Sequence, residues 1–216
     1  MNRILEEDFK YISDSINIPW DSLNGKSILI TGATGFLGSL LIRFFSYLNE
    51  EYNRNIKLIA LARNAEKARS LLGDRSIILE GDLCDIPDIP FEIDFLFHCA
   101  AETGSRKMIE TPVEVSEGIV LGTFNIMKLA SQKKIESAVY LSSMEVYGQV
   151  PAKSDKVYEN DYGFIDVLSA RSCYPMGKRM AENICISYFY QYGLPVKIAR
   201  LAQIFGAGVR ETDNRV

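Results

Sequence analysis

Tyr174 and Lys178 stand four residues apart in a stretch with helical character, and Ser143 follows an apolar, strand-like segment upstream. Residues four apart lie on the same face of a helix. A lysine ammonium beside a phenol favours the phenolate and lowers a phenol pKa that is ordinarily about 10, so the oxygen becomes usable as an acid or base near neutrality. Ser143 can then donate a hydrogen bond to the reacting oxygen. Taken alone, the pair is also compatible with an ordinary helix surface.

A glycine-rich segment, TGATGFLG at residues 31–38, follows the apolar run at 27–30. We expect Gly32 to permit the tight turn off a strand, Gly35 to let the backbone approach a pyrophosphate, and Gly38 to let a helix pack closely on that strand. The N–H groups at the start of the helix then bind the anion. The segment predicts a dinucleotide site, although its G-x-x-G-x-x-G spacing differs from G-x-G-x-x-G and a glycine triplet alone also suits a plain turn.

Strand and helix patterns alternate along the chain, which predicts an α/β fold with a doubly wound parallel sheet, the Rossmann fold. Strands are expected at residues 27–31, 56–62, 76–80, 93–99, 138–142 and 196–201, and helices at 36–48, 65–72, 112–131 and from the Tyr174 motif to about 192. A polar loop is expected at 149–170. In such folds ligands lie at the carboxyl ends of the strands, and every motif with chemical potential follows a strand.

Residues 1–24 form a separate N-terminal extension in this interpretation, and residues 25–216 form the dinucleotide-binding domain. The extension carries apolar residues at nearly helical spacing, which predicts an amphipathic segment that packs against the domain. These residues are Ile4, Leu5, Phe9, Ile12 and Ile16.

Composition indicates a globular enzyme domain with a sizeable core: 216 residues are 47% hydrophobic, and the formal net charge of −4 gives no reason to expect nucleic-acid binding. The four cysteines lack CxxC spacing and there is one histidine, so a zinc site is not predicted. No apolar run approaches the ~20 residues of a membrane helix. We therefore expect reduced thiols, no membrane partner and a cytoplasmic location.

Six motifs together resemble the extended short-chain dehydrogenase/reductases of the NAD-dependent epimerase/dehydratase family, whose members remodel nucleotide-linked sugars. The resemblance runs from about Gly25 to Val209. Its marks are TGATGFLG at 31–38, GDL at 81–83, HCAA at 98–101, SSMEVYG at 142–148, YPMGK at 174–178 and RLAQIFG at 200–206.

This resemblance implies an enzyme that acts through a transient 4-keto sugar, with Ser143, Tyr174 and Lys178 as its catalytic set. Tyr174 takes the proton of the sugar 4-hydroxyl, Ser143 polarises the 4-oxygen, and Lys178 also binds the nicotinamide ribose. His98 follows the family's strand-end pattern and is expected to be structural. The implied cofactor contacts are Gly32, Thr34, Gly35, Phe36, Leu37, Gly38, Arg63, Asp82, Leu83, Ala100, Ala101, Ser142, Tyr174 and Lys178.

The choice between NAD and NADP stays open. Asp82 resembles the family position that holds the adenine amino group, although a turn cap is an alternative role. The second strand ends in Arg63 where NAD-preferring enzymes commonly carry an acid, and an arginine there can pair with a 2′-phosphate. Arg63 is equally compatible with a solvated strand end.

Glu145 is a fourth candidate catalytic residue, as a base or as a group that orders the sugar ring. Its neighbour Met144 cannot serve as the proton donor of a 4,6-dehydratase. The stretch RSCYPMGKR at 171–179 resembles that of nucleotide-sugar acid decarboxylases, although Pro175 and Met176 replace the usual acidic pair. Glu145 also suits a plain role in a loop salt bridge.

The sequence ends at Val216, where family members continue for on the order of another hundred residues, the length of a small domain. Those residues normally build the sugar-nucleotide pocket, so we expect a fragment whose substrate domain is missing. The alternatives are an NADPH-dependent carbonyl reductase of the same fold and a cofactor-binding fragment without activity. The resemblance also implies a homodimer formed through the helices near 112–131 and 171–192.

Overall fold

The computed structural model of the protein describes residues 3–150 and 156–207. Its strands are β1 (Ser27–Thr31), β2 (Lys57–Ala62), β3 (Ile77–Glu80), β4 (Phe95–His98), β5 (Ser137–Ser143) and β6 (Val196–Leu201). Its α-helices are α1 (Arg3–Ser13), α2 (Phe36–Tyr52), α3 (Ala65–Leu72), α4 (Lys107–Glu110), α5 (Pro112–Lys133) and α6 (Cys173–Tyr192). The strands form a parallel sheet of order β3-β2-β1-β4-β5-β6, which confirms the predicted Rossmann-type fold.

The chain divides into two compact units. Of the described residues, the first comprises 3–81, 89–100 and 203–207, and the second comprises 82–88, 101–150 and 156–202.

The first unit is built around β1, which pairs with β2 on one side and β4 on the other. Ile28 stands opposite Leu58 and Phe95 in these two ladders. All five residues of β1 are buried, as is typical of a central parallel strand covered on both faces. Helix α2 adds a buried apolar face to the same core, including Ile42 and Phe45.

Helix α1 packs on α2, as its amphipathic pattern predicts. Leu5 and Phe9 are buried, and the Phe9 ring meets Phe44 edge-on with the centroids 5.4 Å apart. The prediction is wrong for Ile4, Ile12 and Ile16, whose side chains are exposed; Ile16 lies beyond the end of α1 and is almost fully exposed.

The second unit contains β5, β6 and the long helices α5 and α6. β5 and β6 are parallel, with Ser142 opposite Arg200. α5 and α6 pack closely because Gly177 has no side chain: a Cβ at this position would lie 3.3 Å from Cγ2 of Ile119. α6 ends at Gly193, whose φ of +69° suits glycine in a left-handed cap.

Several predicted boundaries differ from the structure because side chains replace ladder hydrogen bonds. β2 begins at Lys57 rather than at 56, since the Asn49 side-chain amide bonds both the N–H and the C=O of Ile56. β4 begins at Phe95 rather than at 93, since the Asp94 carboxylate accepts the N–H of Ser27. Each side chain takes a backbone group that would otherwise extend the sheet.

Further boundaries also differ. β3 begins at Ile77 rather than at 76, β4 ends at His98 rather than at 99, and β5 spans Ser137–Ser143 rather than 138–142. Helix α2 continues beyond 48 to Tyr52, and α5 continues beyond 131 to Lys133.

The described part of the segment predicted as a polar loop at 149–170 contains some regular structure. Gln149 and Phe164 form an antiparallel bridge, and a 3-10 turn begins at Ala170. Residues 151–155 of this prediction lie outside the described residues. The short helix α4 was not predicted.

Candidate functional site

The glycine loop in the first unit is shaped by close backbone contacts. Gly32 has φ +65°, and a Cβ there would lie 2.7 Å from the backbone N and Cα of Ala100. A Cβ on Gly38 would collide with the carbonyl oxygen of Gly32, so the start of α2 sits directly on the loop. The N–H of Gly35 donates to that same carbonyl at 2.9 Å. Two of the three glycines therefore make room for main chain.

Helix α2 begins immediately after this loop and presents its N-terminus. Gly35 is the N-cap and has no side chain to accept the first-turn N–H groups. Thr34, Phe36 and Leu37 flank it and are partly exposed. Uncapped N–H groups at the positive end of a helix dipole suit an anion such as a pyrophosphate. The residues present therefore fit the predicted dinucleotide.

Beside the loop, the carboxyl ends of β1 and β4 are joined by buried polar contacts. Thr31 Oγ1 lies 2.7 Å from Nδ1 of His98 and accepts the N–H of Ala100 at 3.3 Å. His98 is buried, so its contact serves to hold two strand ends together. This geometry agrees with the structural role expected for His98.

The remaining candidate cofactor residues lie at strand ends and in the turns that follow them. Arg63 is exposed directly after β2. The Asp82 carboxylate accepts the N–H of Cys84 at 2.8 Å, which is the turn-capping alternative. Leu83 packs against Gly122 of α5, and Ala101 is partly buried.

Ser143, Tyr174 and Lys178 all belong to the second unit. Ser143 is the last residue of β5, and its Oγ accepts the N–H of Glu145 at 3.2 Å. Tyr174 lies in the first turn of α6 and is 6% exposed; Lys178 lies one turn later and is 3% exposed. The Lys178 ammonium donates to the carbonyl oxygen of Leu141 at 2.7 Å. α6 is thus anchored to the strand that ends in Ser143.

Two aromatic rings surround the Lys178 ammonium. Its nitrogen lies 4.7 Å from the ring centroid of Tyr140 and 5.9 Å from that of Tyr174. Burial raises the pKa of the Tyr140 phenol well above its ordinary value, and burial raises the pKa of the Cys185 thiol to about 12. Tyr140 and Cys185 are therefore poor acid–base groups near neutrality.

Glu145 forms an ion pair with Arg171. Arg171 Nη2 lies 2.9 Å from Glu145 Oε1, and the two side chains are 37% and 33% exposed. The carboxylate therefore stands in a salt bridge next to Ser143. Arg171 was part of the resembling motif but not of the candidate site.

Sequence reasoning missed a buried polar network beside Ser143. Ser142 Oγ donates to Glu182 Oε1 at 2.5 Å, and Glu182 pairs with Arg200 at 2.7 Å. One signal was present in the sequence: Glu182 follows Lys178 by four residues and so shares its face of α6. The strand register that brings Arg200 opposite Ser142 was not readable from local patterns.

Among residues 3–150 and 156–207, no group of three or more histidine, cysteine, aspartate or glutamate side chains is placed to hold a metal ion. In the same residues, no helix combines the length and the hydropathy needed to span a membrane.

A parallel sheet with a glycine-rich loop after its first strand defines a dinucleotide-binding protein, and comparison with known proteins makes the class specific. Residues 28–216 match the NAD dependent epimerase/dehydratase family, and the chain belongs to this family. It is 27% identical over 198 residues to UDP-glucuronic acid decarboxylase 1 of Danio rerio, covering 88% of this chain and 44% of that protein. It is 30% identical over 199 residues to UDP-N-acetyl-alpha-D-glucosaminuronate decarboxylase of Bacillus cytotoxicus, covering 86% and 57%.

Solved structures agree with this assignment. A dTDP-glucose 4,6-dehydratase from Streptomyces venezuelae with NAD bound matches with a TM-score of 0.67 and 25% identity, over 81% of this chain and 55% of that one. The chain spans about half the length of the relatives it matches, from 44% to 57% for the two decarboxylases. The family is NAD-dependent, and the uncapped start of α2 after the glycine loop suits the pyrophosphate of such a dinucleotide.

Proposed function

We propose that the chain is the cofactor-binding and catalytic part of a nucleotide-sugar enzyme that acts through a transient 4-keto sugar. The observation that carries the proposal is the buried Lys178 ammonium, fixed by the carbonyl of Leu141 and 5.9 Å from the ring centroid of Tyr174. A buried cation beside a phenol stabilises the phenolate that acid–base chemistry needs.

Three residues have separate roles in the proposed reaction. Tyr174, as phenolate, removes the proton of the sugar 4-hydroxyl, and Lys178 stabilises its charge. Ser143 Oγ already accepts the Glu145 N–H, so its own hydrogen is available for donation to the sugar 4-oxygen. The glycine loop and the α2 N-terminus would hold NAD, which would supply reversible hydride transfer when bound.

The 4-keto group activates the adjacent carbons of the sugar for the second half of the reaction. Protons on the adjacent carbons become acidic, or a carboxylate on the sugar leaves as carbon dioxide; the electron pair of the broken bond then forms an enolate, which takes up a proton from water. Reduction then restores the cofactor, so no net redox change occurs. Tyr174 returns its proton to the 4-oxygen in that step.

Among the reactions of the family, decarboxylation is favoured over 4,6-dehydration. Met144 has no proton to give to a leaving hydroxyl. Glu145 carries its own arginine partner, Arg171, in the motif that resembles sugar-acid decarboxylases. Two of the relatives named above are decarboxylases of uronic acid nucleotides.

We further propose that the protein forms a homodimer through α5 and α6. Both helices expose large apolar side chains, including Leu121, Phe124, Met180 and Phe189. Exposed apolar area of this kind is typical of interaction surfaces. In a native mass spectrum we expect a dimer of the wild type and a monomer of Phe124→Glu; a monomeric wild type contradicts the proposal.

A cytoplasmic location is also proposed. All four cysteines are free thiols, which suits a reducing compartment.

The test of the proposed function is a panel of nucleotide sugars with NAD, analysed by mass spectrometry for products and by absorbance for net NADH. Product without net NADH supports the proposal, and stoichiometric NADPH consumption supports a carbonyl reductase instead. NAD binding without any turnover supports a cofactor-binding role alone. Tyr174→Phe is expected to bind NAD normally and to lose at least about 100-fold in turnover, as typical of general acid–base groups; undiminished turnover would sink the mechanism.

A further inference from the structure

A buried ion pair in the second unit lies outside the chemistry proposed above. Glu182 and Arg200 have side chains that are 10% and 14% exposed. Arg200 donates from Nε to both carboxylate oxygens, at 3.0 and 3.2 Å, and from Nη2 to Oε2 at 2.7 Å. The contact is the forked arrangement that a guanidinium makes and an ammonium does not.

Arg200 also holds residues 159–162, which lie between β5 and α6 in the sequence. Its Nη1 donates to the carbonyl oxygen of Glu159 at 2.6 Å, and its Nη2 donates to the Tyr162 hydroxyl at 3.1 Å. The guanidinium carbon lies 5.4 Å from the ring centroid of Tyr162 and 4.9 Å from that of Tyr147. The hydrogen bonds to Glu182 raise the pKa of Arg200, so its charge is permanent.

Glu182 connects this arginine to the strand that carries Ser143. Its Oε1 accepts the hydroxyl of Ser142 at 2.5 Å, and Ser142 immediately precedes Ser143. One turn earlier on α6, Lys178 binds the carbonyl of Leu141. α6 is therefore tied to β5 at two consecutive strand residues, Leu141 and Ser142, which immediately precede the strand-terminal Ser143.

The two faces of β5 separate this network from the Ser143 side chain. Successive side chains on a strand point to opposite faces, so Ser142 and Ser143 project to opposite sides of β5. Glu182 and Arg200 therefore act on Ser143 through the backbone and not by touching the sugar. Residues of this kind position the reacting groups without contacting the substrate.

We propose that Glu182 and Arg200 are positioning residues that fix the end of β5 against α6, and with it Ser143 relative to Tyr174 and Lys178, while holding residues 159–162 in place. The catalytic part of this proposal rests on the proposed function, because positioning Ser143 matters only if Ser143 takes part in the reaction. The statement that the ion pair fixes the end of β5 depends on no substrate.

Arg200→Lys separates fork geometry from charge, because lysine keeps the charge and loses the planar donors. The matched control is Arg106→Lys: Arg106 pairs with Glu110 at 2.7 Å on the surface of the same unit, with side chains 85% and 52% exposed. We expect Arg200→Lys to raise amide hydrogen exchange at least tenfold in peptides 142–147 and 156–164, with peptides of β1 and β2 unchanged. The control is expected to match the wild type.

The kinetic readout is the division between kcat and KM on the nucleotide sugar that the panel identifies. We expect at least a tenfold lower kcat for Arg200→Lys at nearly unchanged KM and NAD affinity, because Ser143 is displaced in the transition state and not removed. Where Arg200→Lys does not fold, Glu182→Gln provides the same readouts, because glutamine keeps the shape of the side chain and an oxygen that can accept the Ser142 hydroxyl.

Unchanged exchange in both peptides with wild-type kcat overturns the inference. Exchange that rises throughout both units with proportional loss of active protein also overturns it, since that pattern belongs to a purely structural ion pair. If the wild type turns over no nucleotide sugar, the proposed function fails, and the exchange of peptides 142–147 and 156–164 alone decides whether the pair fixes the end of β5.

Discussion

Replacing Gly32 with alanine tests whether the glycine loop is shaped by a close backbone approach. Two separate costs act on the variant. At φ +65° an L-residue is destabilised by roughly 1–2 kcal/mol. The new Cβ also lies 2.7 Å from the backbone N and Cα of Ala100, and forcing atoms into packed space costs about 1–3 kcal/mol. The free energy of unfolding is expected to fall by about 2–5 kcal/mol in total.

Gly25→Ala is the matched control for this variant. Gly25 has φ +71°, and a Cβ there meets nothing within 4 Å. It carries the backbone cost alone, about 1–2 kcal/mol. The effect of alanine on the unfolded chain is the same at both sites and cancels in the difference. The difference between the two variants, about 1–3 kcal/mol, therefore measures the contact with Ala100.

Urea unfolding gives both free energies, and unchanged m-values show that the comparison is valid. A titration with NAD gives the functional reading: Gly32→Ala is expected to weaken NAD binding at least tenfold because the loop must move, and Gly25→Ala is expected to bind like the wild type. Equal destabilisation of the two variants, or wild-type NAD affinity of Gly32→Ala, would refute the reasoning.

Three further predictions concern packing, a thiol and the cofactor. Gly118→Ala, in open space within α5, is expected to stabilise the protein by about 0.5–1 kcal/mol, whereas Gly122→Ala places a Cβ 2.9 Å from that of Leu83 and is expected to destabilise it by about 1–3 kcal/mol; urea unfolding compares them. Since burial raises the pKa of Cys185 to about 12, only about one molecule in 10⁴ carries its thiolate at pH 8, so peptide mapping is expected to find Cys185 alkylated only after unfolding. Arg63→Ala is expected to weaken NADP binding about tenfold and to leave NAD binding unchanged in parallel titrations, because only NADP has a 2′-phosphate; equal effects on both contradict that role.

The glycine loop could be predicted from the sequence because its shape depends on residues that are close together in the chain. Spacing between Gly32, Gly35 and Gly38 fixes a turn and the start of a helix within eight residues. The alternation of apolar runs and helical patterns was sufficient for the parallel fold, and β1 and β6 have the predicted bounds. Boundaries failed where one side chain far along the chain replaced a ladder bond, as Asp94 does for Ser27.

The charged contacts of the second unit were not readable for the same reason. Glu145 and Arg171 are 26 residues apart, and Glu182 and Arg200 are 18 residues apart. Their pairing depends on how a turn after β5 meets the start of α6 and on the register of β5 with β6. No hydrophobic periodicity in the sequence predicts either of these long-range contacts.

The burial of these charges bears on where acid–base chemistry can occur. Isolated buried ions are very costly, so a lysine or a glutamate inside a protein persists only with partners. Lys178 has the carbonyl of Leu141, and Glu182 has both Ser142 and Arg200. Each partner is on a strand, so the bonds that make these charges tolerable also fix α6 to β5 and β6. The same contacts therefore place a charge near the reacting phenol and hold the strand end that carries Ser143 rigid. For this reason the candidate chemistry is assigned to the junction of α6 and β5 and not to the exposed ion pairs.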